Sequence, residues 1–289
     1  MLKVSAISLL ILLCSAATGL AWYPRLAEEA NLTAETAVIG HQLDYIIGPG
    51  ETLVELARRA GVGFDNLVRA NPGVDPWNPP VGQRLLLPKA VLAPDQLQTG
   101  VTINLAELRL YLVWNDGGVR KVRIYPVGIG REGWGTPLGE FRVSVVIEHP
   151  DWTPPASLRR EKPDLPGTIP AGPDNPLGSH WIGLTAQGVG IHGTNQPFGV
   201  GRRVSHGCIR LYPQDILDLA ERVNPGIRVR IVDQPVKQRL QAGRLYLEVH
   251  RPVEHPAEMT LPAGNWPIDR IAKVLAEARG LPVMIPPEP

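Results

Sequence analysis

The middle of the chain alternates apolar and polar residues with a period of two. This pattern is typical of strands that bury one face, and it recurs at residues 101–105, 108–113, 119–125, 141–147 and 227–232. The sequence Asn-Asp-Gly-Gly at 115–118 separates two of these runs and is a hairpin-turn signal. One short helix is predicted over 213–223, with proline in its first turn. Many short strands and one helix indicate a mainly β fold, an antiparallel sandwich or barrel.

Residues 42–89 show a different pattern, in which two short helices lie between two strands. A β-rich run at 45–47 precedes Thr52 and Glu55, which have the spacing of a helix capping box. A second helix ends before Asn71, and an apolar run closes the segment. The order of elements is therefore predicted to be βααβ.

Three parts of this segment resemble a LysM domain: the run GPGETLVELA, the Asn71-Pro72 turn and the closing GQRLLLP. The resemblance implies that the loops after the first strand and after the second helix bind glycans containing N-acetylglucosamine. The corresponding residues here are Gly50, Glu51, Thr52 and the region of Asn71. A folding module without glycan affinity is the alternative.

Residues 1–21 have the pattern of an export signal. Lys3 precedes a short apolar run, and a small-x-small sequence ends at Ala21. The apolar run is shorter than the roughly 20 residues that a membrane span needs, so we predict a cleaved signal peptide and no membrane span in the mature protein. A retained anchor, or lipidation at Cys14, is the alternative. After cleavage, Cys208 would be the only cysteine.

The composition excludes two classes of protein. With 29 Lys and Arg against 28 Asp and Glu, the net charge of +1 lacks the basic excess expected of a nucleic-acid-binding protein. The hydrophobic content of 44% argues against a highly charged disordered chain.

Eight of the 30 prolines fall within residues 148–180, here called the lid. A stretch of this length is disordered or functional, and Trp152 and Trp181 near its ends favour an ordered lid packed on the sheet.

A glycine motif at 128–133 fits the pattern GxGxxG but does not indicate a nucleotide site. Such a site needs a helix directly after the glycines, because the N-terminal amides of that helix hold the phosphates. The sequence Trp-Gly-Thr-Pro that follows is a poor helix start, so we predict a turn.

Two glycine-rich segments carry the candidate chemistry. His192-Gly193-Thr194-Asn195 ends an apolar run, and thirteen residues after His192 comes Ser205-His206-Gly207-Cys208-Ile209-Arg210. A cysteine nucleophile needs an imidazole nearby, a group that orients the imidazole, and amide donors for the oxyanion. Both segments therefore fit acyl transfer through a thioester.

These segments, with GTPLGEF at 135–141, resemble the L,D-transpeptidase catalytic (YkuD-type) domain over residues 99–234. The resemblance implies that Cys208 is the nucleophile and His192 the base, with its ring oriented by the Gly193 carbonyl. It implies an oxyanion hole from the amides of Gly207 and Cys208. It assigns substrate contacts to Arg210, Ser205, His206, Thr194 and Asn195. No cofactor and no metal are implied.

The residues alone leave other assignments open. His192, His206 and Cys208 could form a metal site, His206 could be a second base, and Arg210 could pair with Asp215. His149, beside the lid, is expected to be structural, with a substrate contact as the alternative. We also expect Cys208 to be a thiolate at neutral pH.

With an export signal and a LysM domain, the chain resembles the periplasmic enzymes that attach Braun lipoprotein to peptidoglycan. The implied partner is peptidoglycan, and the implied acyl acceptor is the lipoprotein's C-terminal lysine or a diaminopimelate side chain. Hydrolysis of the same thioester and a non-catalytic peptidoglycan-binding scaffold are the rival functions.

Residues 235–289 lie beyond the resemblance. The sequence pattern predicts a strand at 244–250 and a helix at 268–279, and so a small accessory α+β segment.

Overall fold

The computed structural model describes residues 30–33, 36–253 and 259–287. The predicted export signal and Cys14 lie outside the described residues. None of the helices in these three ranges combines the length and the apolar character that crossing a membrane requires.

The N-terminal part of the described chain contains the predicted βααβ module. Two short strands, β1 (Ala30–Asn31) and β2 (Val38–Ile39), precede the module. The elements of the module are β3 (Leu43–Ile46), α1 (Leu53–Ala60), α2 (Phe64–Ala70) and β4 (Arg84–Leu87). The Thr52 hydroxyl accepts a hydrogen bond from the amide of Glu55 and so caps α1. Strands β3 and β4 pair antiparallel, and apolar residues of both helices are buried against them. The predicted order of elements is confirmed.

The middle of the chain folds around one large sheet. Its elements are β5 (Val91–Leu92), β6 (Gly100–Asn104), β7 (Arg109–Asp116), β8 (Val119–Pro126), β9 (Ile129–Gly130), β10 (Gly139–Glu148), α3 (Ala156–Glu161), β11 (His180–Leu184), β12 (Gly190–His192), β13 (Arg203–Ser205), β14 (Ile209–Arg210), α4 (Pro213–Ala220) and β15 (Arg228–Val232). The strand order in the sheet is β1-β8-β7-β6-β15-β10-β11-β12-β14. The mainly β fold is confirmed, and α4 is the predicted helix.

The antiparallel pairing that we predicted holds for most neighbours but not for all. Strands β6 and β15 are parallel, as are β12 and β14, and β9 and β13. Parallel neighbours need a crossover connection, and between β12 and β14 this connection is the chain from Gly193 to Cys208, here called the crossover loop. It returns the chain to the same end of the sheet, so that His192 lies opposite Arg210.

The lid is ordered, as predicted, and it contains a second helix, α3, that its prolines had concealed. Trp152 and Ile169 form a backbone bridge across the lid. The buried amide of Asn175 donates to the carbonyls of Pro150, Ile169 and Pro170 at 2.8, 3.2 and 3.1 Å. These bonds hold the proline-rich segments together without regular secondary structure.

The C-terminal part is the expected small α+β unit. Its elements are β16 (Val236–Gln241), β17 (Arg244–Val249), α5 (Ile268–Glu277) and β18 (Val283–Ile285). The three strands form one antiparallel sheet, and α5 packs on it through Ile271. Strand β18 pairs with β17, and Ile285 is buried there.

A buried group of charges joins the middle and C-terminal parts of the chain. Glu107 and Arg109 come from the large sheet, and Lys237 and Glu248 come from the C-terminal sheet; all four side chains are at most 1% exposed. Lys237 Nζ lies 2.6 Å from Glu107 and 3.1 Å from Glu248, and Arg109 Nη1 lies 3.0 and 2.7 Å from them. We call these four residues the buried charge cluster; two cations balance two anions.

The LysM-like module packs on the crossover loop. Gly201 has φ +78°, and a Cβ there would lie 2.3 Å from the Cα of Gly63. The amide of Asp65 donates to the Gly201 carbonyl at 3.1 Å, and the hydroxyl of Tyr212 donates to the Val62 carbonyl at 3.1 Å. The close approach of two backbones explains why a glycine is needed at 201.

Candidate active site

One cavity of about 350 Å³ lies between the sheet and the lid. Five of the predicted site residues line it: His192, Ser205, His206, Cys208 and Arg210. The lid contributes apolar lining, including Trp152 and Leu158. The crossover loop therefore brings the two glycine-rich segments of the sequence to one place.

His192 is buried and held in one orientation. Its Nδ1 lies 2.6 Å from the Gly193 carbonyl oxygen, and its ring stacks on Trp181 at 5.9 Å between centroids. Because a carbonyl can only accept, Nδ1 carries the proton in the neutral ring, and Nε2 is left as an acceptor. The contact between the ring and the Gly193 carbonyl is the one that the sequence suggested.

Burial and, to a smaller extent, the nearby Arg210 guanidinium lower the pKa of His192 to about 3, against the opposing effect of the Gly193 carbonyl. The imidazole is therefore neutral at neutral pH and can accept a proton at Nε2. Its exposed fraction of 4% means that water does not stabilise a charged ring.

The expectation of a resting thiolate at Cys208 is wrong. Burial raises the pKa of the thiol above its usual value, while a backbone hydrogen bond from Gly190 and the charge of Arg210 lower it by less. The Sγ atom lies 3.6 Å from the Gly188 carbonyl, an acceptor for the thiol proton. The resting pair is thus a neutral thiol and a neutral imidazole.

A set of hydrogen bonds fixes the turn before Cys208. Gly207 has φ +101°, which favours glycine. Its amide donates to Ser205 Oγ at 3.2 Å, and the Ser205 hydroxyl donates to the Cys208 carbonyl at 2.5 Å. Thr136 Oγ1 donates to the Gly207 carbonyl at 3.0 Å.

This arrangement alters the expected oxyanion hole. The amide of Gly207 is engaged by Ser205, so it does not point a free donor at the cavity. The amide of Cys208 has no hydrogen-bond partner among the residues that the structure describes, and it is the better donor for an oxyanion.

Arg210 offers a charged donor to the cavity. Its backbone pairs with Gly128, the first glycine of the GxGxxG motif, in an isolated bridge. Its Nε is buried and lacks a hydrogen-bond partner within the described ranges.

Turns follow the GxGxxG motif and β10 begins at Gly139, so the prediction of a turn after this motif is confirmed.

His206 contacts the lid. Its Nε2 lies 3.0 Å from Arg131 Nη2 and 3.3 Å from the Glu161 carboxylate, and Glu161 is 2.7 Å from Arg131. The ring also meets the edge of Trp134 at 4.9 Å between centroids. We call Arg131, Glu161 and His206 the lid contact. A nitrogen engaged in this way favours support of the loop over a second base or a metal ligand.

Thr194, Asn195 and His149 are not among the residues that line the cavity. Thr194 is buried and its hydroxyl accepts from the amide of Gln196 at 2.9 Å, while Asn195 Nδ2 donates to the Asp174 carbonyl at 2.8 Å. Both residues support the crossover loop, and Asn195 ties it to the lid.

The candidate glycan-binding residues are also engaged inside their module. The Glu51 carboxylate accepts from the Tyr45 hydroxyl at 2.7 Å and the Gly48 amide at 2.8 Å, and it pairs with Arg59. Gly50 has φ +74° in the same turn, and Thr52 caps α1. The buried amide of Asn71 bridges α2 and β4 through Leu67 and Leu86. Their glycan contacts stay predictions.

Sequence reasoning missed three side chains that support the site: Thr136, Trp181 and Glu161. Thr136 lies inside the GTPLGEF run, which could have indicated it. Trp181 was seen only as a boundary of the lid. Glu161 carries no sequence signal, because its partners Arg131 and His206 are far away along the chain.

Comparison with known proteins gives a consistent result. The family model of the L,D-transpeptidase catalytic domain matches residues 98–231, and the LysM domain model matches residues 45–88. The "Probable L,D-transpeptidase YcfS" of Escherichia coli is 42% identical, over 76% of this chain and 71% of its own. The "Probable L,D-transpeptidase ErfK/SrfK" of Escherichia coli is 36% identical over 95% of this chain and 96% of its own. Its namesake in Salmonella typhimurium is 38% identical over 81% and 82%.

Proposed function

Because this chain belongs to the L,D-transpeptidase family, we propose that its Cys208 and His192 transfer acyl groups from the tetrapeptide stems of peptidoglycan. The observation that carries the proposal is the buried His192 ring, whose Nδ1 is fixed by Gly193 and whose Nε2 is an acceptor in the cavity of Cys208. Cys208 is the one free cysteine of the described ranges.

Acylation starts from the neutral pair. As Cys208 Sγ attacks the carbonyl of the bond before the terminal D-alanine, His192 Nε2 takes the thiol proton. The amide of Cys208 donates to the resulting oxyanion. When the intermediate collapses, the C–N bond breaks, His192 returns the proton to the departing amine, and a thioester remains on Cys208.

Transfer reverses the proton movement. An acceptor amine attacks the thioester and gives a proton to His192, and the sulfur leaves and regains that proton as the thiol. Arg210, whose guanidinium group belongs to the lining of the cavity, holds a carboxylate of the donor stem. The apolar lid residues exclude water, which favours an amine acceptor over hydrolysis.

The acceptor and the location belong to the same proposal. We infer that the amine comes from the C-terminal lysine of a Braun-type lipoprotein or from a diaminopimelate side chain. Peptidoglycan as substrate requires export, which the predicted signal peptide at 1–21 would supply and which would place the enzyme in the periplasm. The module at 42–89 would hold the glycan strand.

The test uses purified protein, disaccharide-tetrapeptide, and a peptide with the C-terminal sequence of the lipoprotein. Mass spectrometry is expected to find the crosslinked product and released D-alanine, and Cys208→Ala is expected to abolish both. Tripeptide as the only product would establish hydrolysis instead of transfer. Unchanged turnover in Cys208→Ala would refute the assignment of Cys208 as the nucleophile. Glycan binding without turnover in the wild type would favour a non-catalytic peptidoglycan-binding scaffold.

A further inference from the structure

A second cavity, of about 620 Å³, lies between α2 and the end of α5. It shares no lining residue with the cavity of Cys208. Arg69 of α2, Arg279 after α5, and Arg251 in the loop after β17 lie in its wall. Pro72 is also in the wall, so the cavity borders the Asn71-Pro72 turn of the LysM module. Its volume is in the range of small-molecule sites.

The described lining of this cavity has more cationic than anionic groups. The three guanidinium groups face two carboxylates, Asp65 and Glu277. The ion pair of Asp65 with Arg69 is long, at 3.8 Å. Glu277 lies 3.9 Å from Lys273, which is not a lining residue. The carboxylates therefore neutralise the cavity incompletely.

Two guanidinium nitrogens in this wall are buried without an acceptor. Arg69 Nη1 and Arg279 Nε have no hydrogen-bond partner in the part of the chain that the structure describes. Arg279 uses only its Nη2, which donates to the Ala70 carbonyl at 2.7 Å. A buried donor without a partner costs free energy, so the protein leaves two of the guanidinium groups that line this cavity incompletely satisfied.

The positive charges also oppose one another. Burial lowers the pKa of Arg69 and the charge of Arg251 lowers it further, whereas the carboxylate of Asp65 raises it by more than Arg251 lowers it. The Arg251 side chain is exposed, and its charge acts on Asp65 as well as on Arg69. A bound anion would relieve this repulsion, and a planar oxyanion matches the fork of an arginine.

We propose that this cavity binds a carboxylate of a peptidoglycan stem whose glycan strand lies on the adjacent LysM loops. The inference rests on the proposed function, because it takes peptidoglycan as the ligand. The stem is favoured over a free anion by the position of the cavity beside the Asn71-Pro72 turn. The C-terminal segment, through Arg251 and Arg279, would then select glycan strands that carry stems over bare strands.

The experiment measures binding by the full chain with Cys208→Ala, which prevents turnover. Calorimetry compares three probes: a glycan oligomer with tetrapeptide stems, the same oligomer without stems, and inorganic phosphate. Arg279→Gln is expected to weaken binding of the stem-bearing oligomer about tenfold, as for the loss of one charged hydrogen bond. Binding of the bare oligomer is expected to stay unchanged.

Two further variants separate this effect from damage to the fold. Arg251→Gln removes an exposed guanidinium of the cavity and is expected to weaken the same interaction without altering the thermal midpoint. Arg270→Gln is the matched control on α5: Arg270 also donates to a carbonyl, that of Met284 at 3.1 Å, but it does not line the cavity. It is expected to bind both oligomers as the parent does.

Three outcomes would overturn the proposal. The first is an unchanged affinity for the stem-bearing oligomer in both cavity variants. The second is an equal loss for the bare oligomer, and the third is phosphate binding as tight as that of the stems. Transfer by the protein with Cys208 intact is measured separately. A protein that binds stems through Arg279 but transfers nothing would refute the proposed function and leave this site standing.

Discussion

Replacement of Lys237 by methionine tests the buried charge cluster. The substitution keeps much of the apolar stem but removes one of the two cations of the cluster, so that Arg109 is the one cation of the cluster left to balance Glu107 and Glu248. All of these side chains are at most 1% exposed, and breaking a buried ion pair from one side costs about 3–5 kcal/mol. That is a large part of the roughly 5–15 kcal/mol by which proteins are stable.

Urea unfolding followed by circular dichroism measures this loss as a lower midpoint with an unchanged slope. The thermal midpoint is expected to fall by about 6–20 °C, at about 2–4 °C per kcal/mol for a domain of this size. Lys273→Met is the control, because Lys273 is 76% exposed and its pair with Glu277 is long at 3.9 Å; its effect should stay within about 0.5 kcal/mol.

The double variant Lys237→Met with Glu107→Gln decides the cause. It leaves Glu248 paired with Arg109 and restores neutrality, so it is expected to recover part of the lost stability although it carries one more substitution. If Lys237→Met unfolds like the wild type, or if the double variant is less stable than the single one, charge imbalance is not what the cluster controls.

Three further predictions concern the active site and the response to acid. Arg210→Gln removes the charge that lowers the pKa of Cys208, so alkylation of Cys208 by iodoacetamide at pH 8 should slow. Arg203→Gln, in the exposed part of β13, should leave the alkylation rate unchanged. A wild-type rate in Arg210→Gln would contradict the effect of Arg210 on the Cys208 thiol. Glu161→Gln should speed hydrogen exchange in α3 by weakening the lid contact, whereas exchange that stays at the wild-type rate would show that the lid is held elsewhere. Burial lowers the pKa of His250, so as pH falls below about 6.5 this residue takes up a proton in the unfolded chain before it does so in the folded protein. The free energy of unfolding should therefore decrease below that pH. A free energy of unfolding that stays constant between pH 6.5 and 5 would contradict this.

The sequence predicted the parts of this fold that depend on local pattern. The N-cap at Thr52, helix α4 and five strands of the large sheet (β6, β7, β8, β10 and β15) follow from spacing alone. The parallel pairs, such as β12 with β14, could not be predicted in this way, because period-two alternation does not encode the direction of a neighbour. Helix α3 was missed since the prolines around it suppress any helical signal.

For the active site, too, the sequence predicted what short motifs specify and missed what depends on the folded structure. His192 and Cys208 are indicated by short motifs, and the family resemblance implied the contact between the His192 ring and the Gly193 carbonyl. The protonation state of Cys208 was predicted wrongly, because it depends on burial by the lid and the turn at Gly188. The engagement of the Gly207 amide by Ser205 depends on side-chain geometry, which a motif does not specify.

The short crossover loop is the part of the catalytic domain on which the LysM module packs. Only the chain from Gly193 to Cys208 connects β12 with β14. Its middle lies both on the backbone of the LysM module at Gly63 and on β9 of its own domain. The module therefore supports the loop that carries the nucleophile. A glycan bound to that module would have a fixed orientation relative to Cys208, and the stem that reaches the cavity would be set by where the module holds the strand.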